Sequence, residues 1–323
     1  MLKLILTLYG CLIIIPIVGL SFVTERAQRG SSMLSLGQEK FQTENIRRDG
    51  FDLYYRSLGT GEPILLLSGG PGDNCDYLFP LAERMSKYAH VILLEQRGTG
   101  RSMPPNLDKT TINLKLYLQD YEALRTHLKL QSWTVLGHSA GGLLAMNYAA
   151  AYPQRIHRLM LLDTAPVASE LLNAFQDNLL DRLSMAERKQ LASTQQSDSS
   201  ESRRISADLQ LAGLFYDRTI GGKLAGELSN AFHKEVGSLL GAEITKSGYD
   251  LRPQLKDFTG SVLVLNGRQD PMDPLMAVKT SAAFVSSTLT FINRAGHFPW
   301  LEQPEPVDVA IRSFLTSGTP STH

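Results

Sequence analysis

The stretch TVLGHSAGGLLAMNYAAAYP, residues 134–153, decides the fold of this chain. A short apolar run leads into GHSAG at residues 137–141, and an alanine- and leucine-rich segment follows directly. This pattern predicts a buried strand, a sharp turn and then a helix. The turn places Ser139 between small or compact neighbours, with its hydroxyl expected to project at the carboxyl end of a sheet.

Other apolar runs end at glycine turns in the same way, and helical periodicity separates several of them. Strands that are buried on both faces read as continuous apolar runs, and intervening helices indicate a parallel sheet. The sequence therefore predicts an α/β fold with a mostly parallel sheet and flanking helices. The expected strands lie in residues 51–61, 63–72, 90–102, 155–166, 260–270 and 289–300, besides the one that precedes Ser139.

The composition changes near residue 167, where apolar strand-like runs stop and Ser, Gln, Leu and charged residues become frequent. We interpret this block as a helical insertion into the α/β domain. The predicted organisation is a signal peptide or membrane anchor at 1–23, a linker at 24–45, an α/β core at 46–166 and 257–316, a helical cap at 167–256 and a tail at 317–323.

The charge and cysteine content exclude several classes of function. Basic and acidic side chains number 32 each, so the net charge is zero, and no Lys/Arg block suggests nucleic-acid binding. The two cysteines belong to no CxxC pair or Cys/His cluster, so no metal site is predicted. No nucleotide or other cofactor signature is present. The sequence leaves the oligomeric state open.

The N-terminus, MLKLILTLYGCLIIIPIVGLSFV, carries a single charge at Lys3. Its apolar run over residues 4–23 reaches the roughly 20 residues that span a bilayer. We expect export or membrane association through this run, with the catalytic domain outside the cytoplasm. A cleaved signal and an uncleaved anchor both stay open, as does a hydrophobic arm packed on the domain.

A serine hydroxyl needs a base, and the turn motif G-x-S-x-G predicts the order Ser, Asp or Glu, His along the chain. His297 follows the last predicted strand in a loop that can bring its imidazole back to Ser139. Asp270 ends the strand before it and is the expected acid. Asp273 is the fallback and a better candidate for a helix N-cap, and Asp163 is a second fallback.

The second half of the predicted site is a pair of backbone N–H donors for an oxyanion. Ala140 follows the nucleophile at the start of a helix, where the dipole favours negative charge. The SGGPG loop at residues 68–72 follows a buried strand, and its glycines allow close backbone approach. Gly70 is the expected donor there.

These motifs resemble the α/β hydrolases, specifically the proline iminopeptidase (serine aminopeptidase) branch, over about residues 46–316. GGPG at 69–72 is similar to the family's HGGPG, EQRGTGRS at 95–102 to its DQRGxGxS, and GHSAGG at 137–142 to its nucleophile turn. GRQD and GHFPWLEQP resemble its acid and base segments. The resemblance implies a catalytic triad with two oxyanion donors, and its residues here are Ser139, Asp270 and His297 with Gly70 and Ala140.

The chain also departs from that branch. Ser68 stands where the family usually has His, Glu95 replaces Asp, and Ala140 stands where iminopeptidases usually carry a bulky aromatic residue. The family's cap carboxylates bind the free α-amine of the substrate, and no single cap glutamate here matches their motif. The candidates are Glu170, Glu187, Glu201, Glu227, Glu235 and Glu243.

The sequence thus predicts a serine hydrolase that forms an acyl-enzyme and cleaves N-terminal aminoacyl bonds of small peptides or amides. The alternative is a carboxylesterase, lactonase or amidase that acts on small neutral substrates. The expected partner is a small-molecule or short-peptide substrate.

Overall fold

A computed structural model describes residues 38–194, 196, 199–230, 232–246 and 248–317. The apolar run at 4–23, on which the predictions of export and membrane association depend, lies outside these residues, as does most of the linker predicted at 24–45. Nearly all of the tail predicted at 317–323 also lies outside them. In the described part of the chain, no helix combines the length and the hydropathy that crossing a membrane requires.

The described residues contain one eight-stranded sheet with the spatial order β1-β2-β4-β3-β5-β6-β7-β8. Strands β1 and β2 pair antiparallel, and β2 also pairs antiparallel with β4, whereas all remaining pairs are parallel. The predicted α/β class with a mostly parallel sheet is confirmed. The strands are β1 (Gln42–Arg48), β2 (Phe51–Leu58), β3 (Pro63–Leu67), β4 (His90–Leu94), β5 (Trp133–His138), β6 (Ile156–Leu162), β7 (Ser261–Gly267) and β8 (Ser287–Ile292).

Helices cover both faces of the sheet and fill the segment between β6 and β7. They are α1 (Phe79–Met85), α2 (Leu114–His127), α3 (Ala140–Ala151), α4 (Phe175–Asp181), α5 (Met185–Thr194), α6 (Ser200–Leu214), α7 (Arg218–Asn230), α8 (Lys234–Lys246), α9 (Arg252–Leu255), α10 (Pro274–Ser281), α11 (Pro299–Glu302) and α12 (Pro304–Thr316). Short 3-10 helices precede β1, α1, β6 and α4.

The central strands are apolar throughout because both of their faces are buried. One hydrophobic core joins the side chains of α1 and α12 to one face of the sheet, and a second core joins α2 and α3 to the opposite face. Strand β5 shows the consequence most clearly, since all six of its residues are buried. The sheet therefore holds the residues at its carboxyl edge on a rigid support.

The segment between β6 and β7 is helical, with α4 to α8 forming the cap. Its two ends meet at the base of the cap, where Ala168 and Asp250 form an isolated antiparallel bridge and the N–H of Leu251 donates to the Val167 carbonyl. The polar stretch at 191–204 spans the junction between α5 and α6. Chain entry and exit are thus adjacent, as expected for an insertion into a folded domain.

The predicted linker ends earlier than expected. Residues 42–45 belong to β1, which pairs along its whole length with β2 around a turn at Asp49 and Gly50, both with positive φ. Most of β1 is exposed, and Ile46 is its one buried residue. An edge strand that faces solvent needs little apolar sequence, so its polar composition resembles that of a linker.

Buried ion pairs and hydrogen bonds hold the EQRGTGRS segment after β4. Arg97 donates from Nε and Nη2 to the two carboxylate oxygens of Asp120, each at 2.8 Å, and both side chains are 1% exposed. Glu95 accepts from the N–H of Arg101 at 2.7 Å and pairs with Arg56 at 3.0 Å. These charges hold the turn at the carboxyl end of β4 in one conformation.

We expect Asp120→Ala to lower the free energy of unfolding by about 3–5 kcal/mol, because it leaves the buried guanidinium of Arg97 without its bidentate partner. Asp52→Ala is the matched control, since it removes a partner from the exposed Arg47–Asp52 pair, whose side chains are 67% and 40% exposed. That loss should stay below about 1 kcal/mol. Urea unfolding measures both, and equal losses would show that the buried pair adds no more than the exposed one.

Candidate active site

Ser139 occupies a strained turn between β5 and α3. Its backbone has φ 55° and ψ −125°, a conformation that non-glycine residues rarely adopt. The surrounding backbone enforces it, because the N–H of Ser139 donates to Leu162 and its carbonyl accepts from Gly142 and Ala165. This is the geometry that lifts a serine side chain above the edge of a sheet.

Three glycines allow the close approach of the chain around Ser139. A Cβ at Gly137 would lie 2.3 Å from the Gly141 carbonyl oxygen, and a Cβ at Gly141 would lie 2.3 Å from that of Leu67. The two clashes explain the glycines of the motif. Gly142 adds a third, since its Cβ would lie 2.1 Å from Oγ1 of Thr164, and the motif alone does not indicate this one.

His297 and Asp270 form a buried hydrogen-bonded pair. The Nδ1 of His297 lies 2.9 Å and 3.1 Å from the two carboxylate oxygens of Asp270, and both residues are buried. Asp270 also accepts from the N–H of Met272 at 2.9 Å, which orients its carboxylate. Chain segments 27 residues apart thus supply the expected acid and base as a hydrogen-bonded pair.

The two fallback acids have other roles. Asp273 caps α10, with its side chain accepting from the N–H of Leu275 at 2.6 Å. Asp163 accepts from the N–H of Gly267 at 2.7 Å, and it forms with Asp270 and His297 a group whose polar atoms lie within 4.8 Å of one another. Burial raises the pKa of Asp163 well above its usual range, and the charge of Asp270 raises it further. Asp163 is therefore a second buried carboxyl group beside the His297–Asp270 pair.

Some of the backbone N–H groups near Ser139 donate to an acceptor among the described residues, and others do not. Gly69 donates to the hydroxyl oxygen of Tyr77 at 2.7 Å. Gly70, which has φ 107°, donates to no acceptor among the described residues. Ala140 is the first residue of α3, so its N–H has no acceptor within the helix. The two predicted oxyanion donors are thus N–H groups that the described fold leaves available.

A buried chain of hydrogen bonds joins the loop after β3 to the loop that carries His297. Tyr77 accepts from Gly69, its hydroxyl lies 2.8 Å from Nδ1 of His138, and Nε2 of His138 lies 2.9 Å from the His297 carbonyl oxygen. Since that carbonyl can only accept, His138 carries its proton on Nε2, and Tyr77 donates to Nδ1. Burial lowers the pKa of His138 well below its usual range, and nearby His297 lowers it further, so the ring stays neutral.

The serine-turn motif assigns no role to His138, and no sequence pattern singles out Tyr77. A signal for His138 existed in retrospect, because a histidine that ends a fully buried strand must have hydrogen-bond partners. Its ring centroid lies 4.7 Å from that of His297. The residue before Ser139 therefore contacts the histidine that is expected to act on Ser139.

The cap also holds the His297 loop. The N–H of His297 donates to the carbonyl of Leu214 at the end of α6, at 2.7 Å. A Cβ at Gly296 would lie 2.1 Å from that same oxygen, so only glycine permits the contact. Glu302 accepts from the N–H of Gly296 and from that of Asp217, each at 2.7 Å, and so joins the loop to the chain that precedes α7.

Four of the six candidate cap glutamates bind groups away from Ser139. Glu170 pairs with Arg252, Glu187 with Arg218, and Glu201 with Arg204, while Glu243 accepts from the N–H of Leu114. Glu235 is exposed at the start of α8, and Glu227 lies half-buried in α7. The structure places none of the first four at the site that Ser139, His297 and Asp270 form.

Comparison with known proteins agrees with this geometry. The family model for the α/β hydrolase fold matches residues 62–304. The chain belongs to the α/β hydrolase family. A proline iminopeptidase from Heyndrickxia coagulans is 25% identical to this hydrolase over 268 residues, which cover 80% of the chain and 92% of the relative. One from Xanthomonas citri is 39% identical over 117 residues, 35% of the chain and 36% of that relative.

Solved structures show the same fold. The crystal structure of a proline iminopeptidase from Mycobacterium smegmatis superimposes with a TM-score of 0.65 at 18% identity, over 85% of this chain and 97% of that one. The predicted resemblance is therefore confirmed for the superfamily and for the proline iminopeptidase-like branch. This member is a hydrolase.

We expect Tyr77→Phe to weaken the hydrolase in two ways. It leaves the buried N–H of Gly69 and Nδ1 of His138 without a partner, which should destabilise the fold by about 1–3 kcal/mol. It also frees the loops that carry Gly70 and His297, so kcat/KM for a small ester should fall tenfold or more. Tyr88→Phe is the control, because it removes a hydroxyl that bonds Asp308 far from the site. If both variants behave alike, the buried chain has no positioning effect.

Proposed function

We propose that this hydrolase cleaves N-terminal aminoacyl bonds of small peptides or amides through an acyl-enzyme on Ser139. The observation that carries the chemistry is the strained turn at Ser139 beside the buried His297–Asp270 pair. The substrate class is supported by the proline iminopeptidase relatives, one of which aligns over 92% of its length.

The reaction proceeds as follows. The Oγ of Ser139 attacks the substrate carbonyl carbon while its proton passes to Nε2 of His297, and Asp270 accepts from Nδ1 and stabilises the imidazolium. The N–H groups of Gly70 and Ala140 receive the oxyanion. His297 then protonates the leaving amine, and the C–N bond breaks to leave an ester on Ser139. A water molecule repeats the cycle, giving its proton to His297 and releasing the acid and free Ser139.

One observation favours the alternative, a carboxylesterase, lactonase or amidase for small neutral substrates. Three of the six cap glutamates that could read an amine are engaged in ion pairs with arginine. The side chain of Ala140 is small, whereas iminopeptidases usually carry a bulky residue at this position. The space that it leaves can hold an uncharged acyl group. The two functions use the same chemistry and differ only in what binds the substrate's amino end.

Replacing each of the two aspartates after β7 by asparagine tests the triad. Asp270→Asn should reduce kcat by a factor of about 10³–10⁴, because an amide at this position disfavours the His297 tautomer that can accept the Ser139 proton. Asp273→Asn should retain activity, since asparagine caps helices as well as aspartate and tolerates the positive φ of 54° at this position.

Ser139→Ala completes that series with a loss of about 10³-fold or more, and a fluorophosphonate should label the wild type but not this variant. If Asp270→Asn retained activity and Asp273→Asn lost it, the triad acid would be Asp273 and not Asp270. Near-full turnover in Ser139→Ala would exclude the acyl-enzyme.

A pair of substrates distinguishes the two functions. We expect kcat/KM for a free prolyl or alanyl amide to exceed that for its N-acetylated analogue by more than about tenfold, which corresponds to about 1.4 kcal/mol of amine recognition. The measurement uses purified full-length protein beside a p-nitrophenyl ester as a neutral reference. Equal rates for the free and blocked amides, or turnover of activated esters alone, would support the esterase-like alternative.

A further inference from the structure

Asp73 carries a carboxyl group near the candidate active site, and it belongs neither to the proposed triad nor to the proposed oxyanion donors. It follows the GGPG turn after β3, and its N–H donates to the Gly69 carbonyl at 3.3 Å while its own carbonyl accepts from Ser68 at 2.8 Å. These bonds fix the backbone of Asp73 on the loop that carries Gly70. The side chain itself has no hydrogen-bond or ion-pair partner among the described residues.

The carboxyl group of Asp73 lies against Gly70. A Cβ built on Gly70 would stand 3.3 Å from the Cγ of Asp73, and the charge of His297 lowers the pKa of Asp73. The neighbouring Gly69 lies close to the nucleophile, since a Cβ built on Gly69 would stand 2.8 Å from the Cβ of Ser139. Asp73 therefore stands within one short loop of the nucleophile and the oxyanion donor.

The cap contributes to the surroundings of Asp73. The residue keeps accessible surface, although protein surrounds its carboxyl group. The cap closes one side, because Phe232 forms an isolated bridge with Asp73 and the N–H of His233 donates to the Gly72 carbonyl at 2.8 Å. Asp73 thus keeps some accessible surface between the loop after β3 and the cap.

An unpartnered carboxylate is costly at this position. Burial raises the pKa of Asp73 to about 7, and the nearby His297 only partly offsets the effect. A negative charge beside Gly70 would also oppose the oxyanion that Gly70 is expected to stabilise. A cation on the substrate removes both penalties at once, because it replaces the missing partner and neutralises the charge beside the oxyanion.

We propose that Asp73 binds the free α-amine of the substrate, a role that the sequence analysis sought among the cap glutamates. This inference rests on the proposed aminoacyl hydrolysis. The amine of an α-aminoacyl group is two covalent bonds from the carbonyl carbon that Ser139 attacks. A carboxylate on the oxyanion loop, where Asp73 is, is therefore placed to read this amine. The ligand class is an α-ammonium or α-imino acyl group with a small side chain.

The test compares kcat/KM for a free prolyl or alanyl amide with that for its N-acetylated analogue in three proteins. Asp73→Asn should lower the ratio tenfold or more, through a loss confined to the free amide, with the rate on the blocked amide unchanged or increased. Glu170→Gln is the control, since it changes an exposed cap carboxylate that pairs with Arg252, and its ratio should equal that of the wild type. Asp73→Ala removes the carboxylate without adding a polar group and should repeat the result if the asparagine variant folds poorly.

The possible failures are distinguishable. A wild-type ratio near one would overturn the proposed aminoacyl specificity and this inference with it. A high wild-type ratio that survives in both Asp73 variants would overturn the inference alone and return the amine site to the cap. An equal loss on free and blocked amides, in variants that a fluorophosphonate still labels at Ser139, would place Asp73 in the support of the oxyanion loop and not in amine binding.

Discussion

The close approach of α3 to the strands around it is the constraint on which the rest of the site depends. The chain must turn from β5 into α3 within a single residue, and that residue has φ 55°. The turn is possible only because Gly137, Gly141 and Gly142 leave no side chain between strand, helix and neighbouring loops. Tight packing of this kind over-determines the backbone, so the strain at Ser139 is sustained by contacts that extend across the sheet.

The core of this arrangement could be predicted from sequence because each part has a strong local signature. Buried parallel strands read as apolar runs, the serine turn needs glycines, and chain order restricts the acid and the base. Chain order singles out Asp270 and His297, which the structure pairs at 2.9 Å, and it favours a helix cap for Asp273, which caps α10. Edge strand β1 was missed because its exposed side chains impose no apolar pattern.

Other features depend on contacts between segments that no local pattern reports. The bridge from Gly69 through Tyr77 and His138 to the His297 carbonyl joins three distant parts of the chain. The raised pKa of Asp163 follows from its burial and from the nearby charge of Asp270. The glutamates proposed as amine ligands were chosen by position in the cap, and only the folded structure shows that Arg252, Arg218 and Arg204 pair with three of them.

The cap is part of the catalytic geometry as well as a cover for it. Its backbone contacts the two loops that matter most, with Leu214 accepting from the N–H of His297 and His233 donating to the carbonyl of Gly72. Both contacts are made by main-chain atoms, and Gly296 and Gly72 lack the side chains that would block them. Cap side chains can therefore vary without disturbing these bonds, whereas a shift of the cap backbone moves the base and the oxyanion loop together. The contacts of the cap with these two loops are thus carried by its main chain and not by its side chains.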